Sequence, residues 1–178
     1  GAFGFNTETG PGPQVPKLES LKKMIPGNKL WPPNEIWNYH CTHSKEAFNK
    51  MNVFNAALEA RYGKSENLEN YLLKSDAQSY EALKAMFEAF RVKIPKTTGI
   101  IQWMLNSAWP STYWQLYDYY LIPTSAYYAA RKANEPVQLI YDYAENSVYV
   151  VNETHKELIN CIASVKIYDS VSAEVLNL

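Results

Sequence analysis

The sequence is short of the features that would place it in several large protein classes. Its two cysteines, Cys41 and Cys161, lie far apart, which suits neither a disulfide scaffold nor a zinc site, and both read as free thiols. No apolar run approaches the roughly 20 residues that cross a bilayer, so no membrane association is expected. Positive charge is not in excess: 17 Lys and Arg stand against 18 Asp and Glu. The longest basic runs are the pairs Lys22-Lys23 and Arg131-Lys132, so a nucleic-acid partner is not expected either. Glycines number only seven, and Gly10 and Gly12, set beside prolines, lack the strand and helix context of a phosphate cradle. No cofactor and no metal is expected. The N-terminus has neither an initiator Met nor the charged start and apolar stretch of a signal peptide, so the sequence is expected to begin inside a longer chain or after processing.

Aromatic residues, in contrast, are abundant: 14 Tyr and 5 Trp in 178 residues. Flat rings with a polar edge fill cores and also recur at wet binding surfaces, and composition alone does not choose between the two.

Residues 1–8 read as a strand, because Phe3 and Phe5 alternate with small residues before the breaker series Thr9-Gly10-Pro11-Gly12-Pro13. That puts Glu8 at the strand's C-terminal end. Residues 11–43 hold six of the ten prolines and read as a long loop with one helical patch at 18–24; loops of this length tend to carry function. A helix is expected after Ser44, an N-cap followed by Glu46, because Phe48, Met51, Phe54, Leu58 and Tyr62 recur at helical steps up to Gly63. A second amphipathic helix is expected over 67–91. Residues 98–106 are almost wholly apolar and read as a strand covered on both faces. Helical pieces are expected over 114–121 and, after Thr124 as N-cap, over 125–133. Beyond Pro136 the period becomes two, which predicts a hairpin of 137–143 with 147–152 and further strands near Ile162, Val165, Ile167 and Val171. The order predicts an α/β unit over 1–135 and the start of an antiparallel β domain over 136–178. Two β/α units cannot close a barrel, which needs eight.

Four strings then carry a resemblance: GFNTETGPGP (Gly4 to Pro13), WNYH (Trp37 to His40), GIIQWMLNSAWPSTYWQLYDYYL (Gly99 to Leu121) and AYYAARKANEP (Ala126 to Pro136). Together they resemble glycoside hydrolase family 2, most closely its exo-β-D-glucosaminidase branch. The resemblance implies that residues 1–135 are the C-terminal portion of a (β/α)8 TIM barrel, strands seven and eight with their helices. It implies that 136–178 open an immunoglobulin-like β-sandwich.

It further implies that Glu8 is the nucleophile of a retaining glycosidase. Such an enzyme needs one carboxylate to attack the anomeric carbon and a second carboxyl, about 5–5.5 Å away, to protonate the leaving oxygen. In the family the second comes from the fourth strand, and no segment here corresponds to it. Without the resemblance, Glu8 would read as a solvated carboxylate at a strand end. Trp103 reads as a platform for the sugar or as barrel core. Asn106 and Trp109, just past the second strand, are candidates to line the sugar pocket. Tyr39 and His40 are substrate contacts or loop anchors. The expected substrate is a terminal β-linked sugar, D-glucosamine of chitosan oligosaccharides by branch; a β-mannosidase, a β-galactosidase-like enzyme and a non-catalytic carbohydrate-binding module are the alternatives. The expected partners are the oligosaccharide and the remaining domains of the same enzyme, and the expected location is secreted or periplasmic. Asn152-Glu153-Thr154 matches a glycosylation acceptor, a pattern common by chance.

Overall fold

The computed structural model describes residues 2–41 and 51–177. The expected N-cap Ser44, with Glu46 and Phe48, lies outside the described residues. The chain divides into two compact units, Gly1–Glu135 and Pro136–Leu178.

In the first unit the elements run β1 (Gly4–Thr9), α1 (Leu18–Met24), α2 (Glu35–Cys41), α3 (Met51–Tyr62), α4 (Leu68–Arg91), β2 (Thr97–Gln102) and α5 (Ser125–Ala133), with a 3-10 turn at Gly27–Lys29. β1 and β2 pair in parallel, Phe5 opposite Gly99 and Asn6 opposite Ile100, so both strands end at the same edge of the sheet. α4 starts where Asn67 caps it, its side-chain oxygen accepting the Asn70 N–H at 2.9 Å. α3 stops at Gly63, whose φ of +73° is the left-handed conformation that glycine adopts without a Cβ clash.

Two apolar clusters hold the unit. In one, Trp37 and Cys41 from α2 pack with Leu21, Ile25, Met51, Phe54, Leu58 and Tyr71. In the other, Ala126, Ala129 and Ala133 form a fully buried stripe at helical spacing on α5, and α4 meets it with Leu83 and Phe87 while Ile100 packs from β2. Small residues on α5 let the two helices approach closely. The Arg91 guanidinium of α4 donates to the Ala133 carbonyl at 2.6 Å and so satisfies one of the open carbonyls at the end of α5.

Three expectations for this unit are corrected. The long loop contains a helix, α2, because Trp37 and Cys41 at i and i+4 share one buried face. The strand expected over 98–106 ends at Gln102, and within this chain Ile101 is 51 % exposed and Leu105 is also exposed. Residues 114–121 are not helical: Trp114 and Leu121 have φ of +56° and +63°. Here the Asp118 carboxylate accepts the N–H groups of Tyr120 and Ile122 at 2.9 and 3.0 Å, folding the backbone into a turn. Thr124 does precede α5, but its hydroxyl donates to the Gln115 and Leu116 carbonyls instead of capping the helix.

In the second unit β3 (Val137–Asp142) and β4 (Ser147–Asn152) form an antiparallel hairpin with Asp142 opposite Ser147. β3 buries every second residue, Gln138, Ile140 and Asp142, the alternation expected of a strand with one covered face. β5 (Lys166–Tyr168) and β6 (Glu174–Asn177) make a second small antiparallel pair. Ile167 lies in β5, whereas Ile162 and Val171, expected in strands, lie outside them and are exposed.

Candidate active site

Two parallel strands ending at one edge put the residues that follow each of them side by side, the edge at which α/β sheets bind ligands. Glu8 is the penultimate residue of β1 and is exposed. The pairing there is irregular: Asn6 to Thr9 spans three steps while the facing Ile100 to Gln102 spans two. A bulge of this kind bends the strand and breaks the alternation of side chains, which is why both Thr7 and Glu8 are exposed. The Asn6 side-chain oxygen accepts the Glu8 N–H at 3.1 Å within the irregular stretch. Among the described residues no hydrogen bond or ion pair engages the Glu8 carboxylate.

Trp103 follows β2 directly. Its N–H donates to the Thr9 carbonyl at 2.7 Å, which sets it beside the residue after Glu8. Trp103 is 46 % exposed in this chain. The Gln102 side-chain amide donates to both the Trp103 and Trp114 carbonyls at 2.9 Å, and the Met104 N–H donates to the Trp114 carbonyl at 2.7 Å. The Trp103–Met104 peptide is cis. Gly10 closes the arrangement, because a Cβ there would stand 2.5 Å from the Trp103 carbonyl oxygen and 2.8 Å from the Trp114 ring.

The other sequence-predicted residues sit on the loops beyond. Asn106 is exposed and bridges to Tyr117. Tyr39, His40 and Trp109 come together: the His40 ring stacks on Trp109 at 5.6 Å and 23°, and Tyr39 stands edge-on to Trp109 at 5.7 Å and 79°. His40 Nδ1 lies 2.8 Å from the Pro110 carbonyl, and since a carbonyl only accepts, this nitrogen carries the proton. The His40 carbonyl in turn accepts the Thr112 N–H at 2.9 Å. His40 is thus a loop anchor in its contacts.

Sequence reasoning missed the support beneath this loop. Ser107, Ser111 and Gln115 are buried and bonded to one another, with Ser107 Oγ donating to Gln115 Oε1 at 2.6 Å and Gln115 Nε2 to the Ser111 carbonyl at 2.6 Å. An irregular segment has no ladder to satisfy its backbone, so side chains take that role. Nearby, Tyr117 is raised above the ordinary tyrosine range, first by its hydrogen bond with Tyr127 and then by desolvation. Among the described residues no group of three or more His, Cys, Asp or Glu is placed to hold a metal ion, and no helix is long and apolar enough to cross a membrane.

No protein-family model matches the chain. Individual relatives do. It is 37 % identical over 176 residues to an exo-β-D-glucosaminidase of Amycolatopsis orientalis, covering 95 % of this chain and 17 % of that protein. It is 39 % identical over 162 residues to one of Arthroderma benhamiae, covering 87 % of this chain and 18 % of that protein. The chain is a homologue of the exo-β-D-glucosaminidases, of the glycoside hydrolase family 2 type. A solved structure of a variant of the exo-chitosanase CsxA from Amycolatopsis orientalis, in complex with PNP-β-D-glucosamine, superimposes with a TM-score of 0.84 at 33 % identity. That match covers the whole of this chain and 22 % of CsxA. The chain therefore spans less than a quarter of the length of these glucosaminidases.

Proposed function

We propose that this chain is the nucleophile-bearing segment of a retaining exo-β-D-glucosaminidase that releases terminal D-glucosamine from chitosan oligosaccharides. In this reading residues 1–135 are the last two β/α units of a (β/α)8 barrel and residues 136–178 begin an immunoglobulin-like sandwich. The observation that carries it is the position of Glu8: an exposed carboxylate at the bulged C-terminal end of β1, with Trp103 held against the next residue from the parallel strand. Uncovered apolar side chains support a larger barrel, Phe3 (79 % exposed), Phe5, Ile101 and Leu105 being the kind of surface that neighbouring strands and layers bury.

In the reaction, the Glu8 carboxylate attacks the anomeric carbon and a proton donor on another segment of the same enzyme protonates the leaving oxygen. Water, activated by that second group, then releases the sugar from Glu8 with retention. Trp103 stacks on the bound sugar, Asn106 and Trp109 line its pocket, and Tyr39 and His40 shape the pocket's outer wall. The substrate follows from the relatives, and a secreted or periplasmic location fits a polymer too large to enter a cell.

The test is Glu8→Gln in the full-length protein, assayed on aryl β-D-glucosaminide and aryl β-D-mannoside. The glucosaminide is expected to be preferred, and kcat to fall by several orders of magnitude in the variant with no change in thermal unfolding. Wild-type turnover that survives the substitution contradicts the assignment of Glu8, and preference for the mannoside contradicts the substrate.

A further inference from the structure

We propose that Gln102 is a positioning residue for the reaction: its side-chain amide ties the end of β2 to the loop at Trp114 and so fixes Trp103 against the strand end that carries Glu8. The inference rests on the reading of Glu8 as nucleophile and Trp103 as sugar platform, and it adds a residue that acts through Trp103.

The first observation is register. Gln102 is the last residue of β2 and stands opposite Thr9, the residue after Glu8. The Trp103 N–H donates to the Thr9 carbonyl at 2.7 Å. The placement of Gln102 and Trp103 beside the end of β1 is thus set by pairing within this chain.

The second observation is what the amide holds. Its Nε2 lies 2.9 Å from both the Trp103 and the Trp114 carbonyl oxygens. Carbonyls only accept, so the nitrogen end of the amide faces them and its two N–H groups serve one each. Two carbonyls turned to one point repel unless a donor stands between them. A serine or threonine hydroxyl has one proton to give and a carboxylate has none, so neither would bridge the pair. Gln102 Oε1, in contrast, is buried and accepts from no described residue. A buried acceptor without a donor is unfavourable, and the amide keeps this orientation because its nitrogen satisfies two carbonyls.

The third observation is strain at the far end of the tie. Trp114 has φ of +56°, the left-handed region that a bulky residue enters only where its surroundings force it. Donors from Gln102 and Met104 both grip its carbonyl, and its N–H donates to the Gly12 carbonyl at 3.3 Å. The Trp114 ring and the Trp103 carbonyl together fill the space that a Cβ on Gly10 would need. Strain of this kind collects where geometry serves function. The amide therefore locks the Trp103 backbone between β1 and a strained loop, and the ring that this backbone carries is locked with it.

The experiment is a double-mutant cycle in the full-length protein, with kcat/KM on an aryl β-D-glucosaminide read under single-turnover conditions so that slow variants stay measurable. Gln102→Met keeps the length and removes both donors. With Trp103 in place it is expected to lower kcat/KM about tenfold, the cost of displacing the platform by a fraction of an ångström. In the Trp103→Leu background no ring remains to be misplaced, and the loss on adding Gln102→Met is expected to be at least about threefold smaller. No loss with Trp103 in place overturns the proposal. So do losses within about threefold of each other in the two backgrounds, which is what a residue that only supports the fold would give. If Gln102→Met does not fold, Gln102→Glu, which keeps the shape of the amide and lacks the donors, carries the cycle. Failure of the underlying reading shows separately, as Trp103→Leu without effect of its own or as turnover surviving Glu8→Gln.

Discussion

Gly10 and Trp103 approach so closely that a Cβ on the glycine would lie 2.5 Å from the tryptophan carbonyl oxygen. The atom in the way is backbone, held by the hydrogen bond from the Gln102 side chain, so it cannot swing aside. Gly10→Ala therefore displaces the strand end that carries Trp103 and, through Thr9, the segment that carries Glu8. A shift of an ångström at a reacting group costs up to about 100-fold in rate. The expected result is a loss of that order in kcat/KM of the full-length enzyme on an aryl glucosaminide, with the protein still folded by circular dichroism.

The alanine stripe of α5 offers a test of packing. Ala129 is fully buried in the cluster that holds Leu83 and Phe87. Ala129→Leu should destabilise by about 1–3 kcal/mol by overpacking. Thermal unfolding measures it, and an unchanged midpoint would contradict the close approach of α4 and α5.

Tyr71 gives a prediction in pH. Burial raises its hydroxyl well above the ordinary tyrosine range, so the folded chain keeps it neutral where the unfolded chain ionises it. Its contribution is complete below the unfolded value of about 10 and is lost as pH climbs from there toward the folded value. Tyr71→Phe removes this titration, so its stability should fall less steeply above pH of about 10 than that of the parent. Near neutral pH the variant should be weaker by about 1 kcal/mol, the worth of the 2.7 Å bond that Tyr71 donates to Asn55. Urea unfolding across the range checks both signs.

Legibility in the sequence followed the kind of interaction involved. The long helix α4, the hairpin β3–β4 and the strand ending near Glu8 are set by local periodicity and breakers, and these elements formed close to the residues expected. The segment 114–121 did not. Its apolar spacing fits a helix, but the outcome there is decided by the Asp118 turn and by the buried Ser107, Ser111 and Gln115 contacts, which join residues that no period links. α2 was hidden for a related reason: seven residues soon after Pro32-Pro33 carry too short a pattern, and only Trp37 and Cys41 meeting the core reveal it. Of the site residues, Glu8 and Trp103 were placed by strand ends. The meeting of Tyr39 and His40 with Trp109, some 70 positions away, was visible only in three dimensions.

The most direct test of the central claim is to trap the glycosyl-enzyme. The full-length protein is inactivated with a 2-deoxy-2-fluoro β-glycoside bearing an activated leaving group, then digested and read by mass spectrometry. The account predicts one added sugar on the peptide that contains Glu8, attached through its carboxylate. A sugar found on any other carboxylate would contradict it.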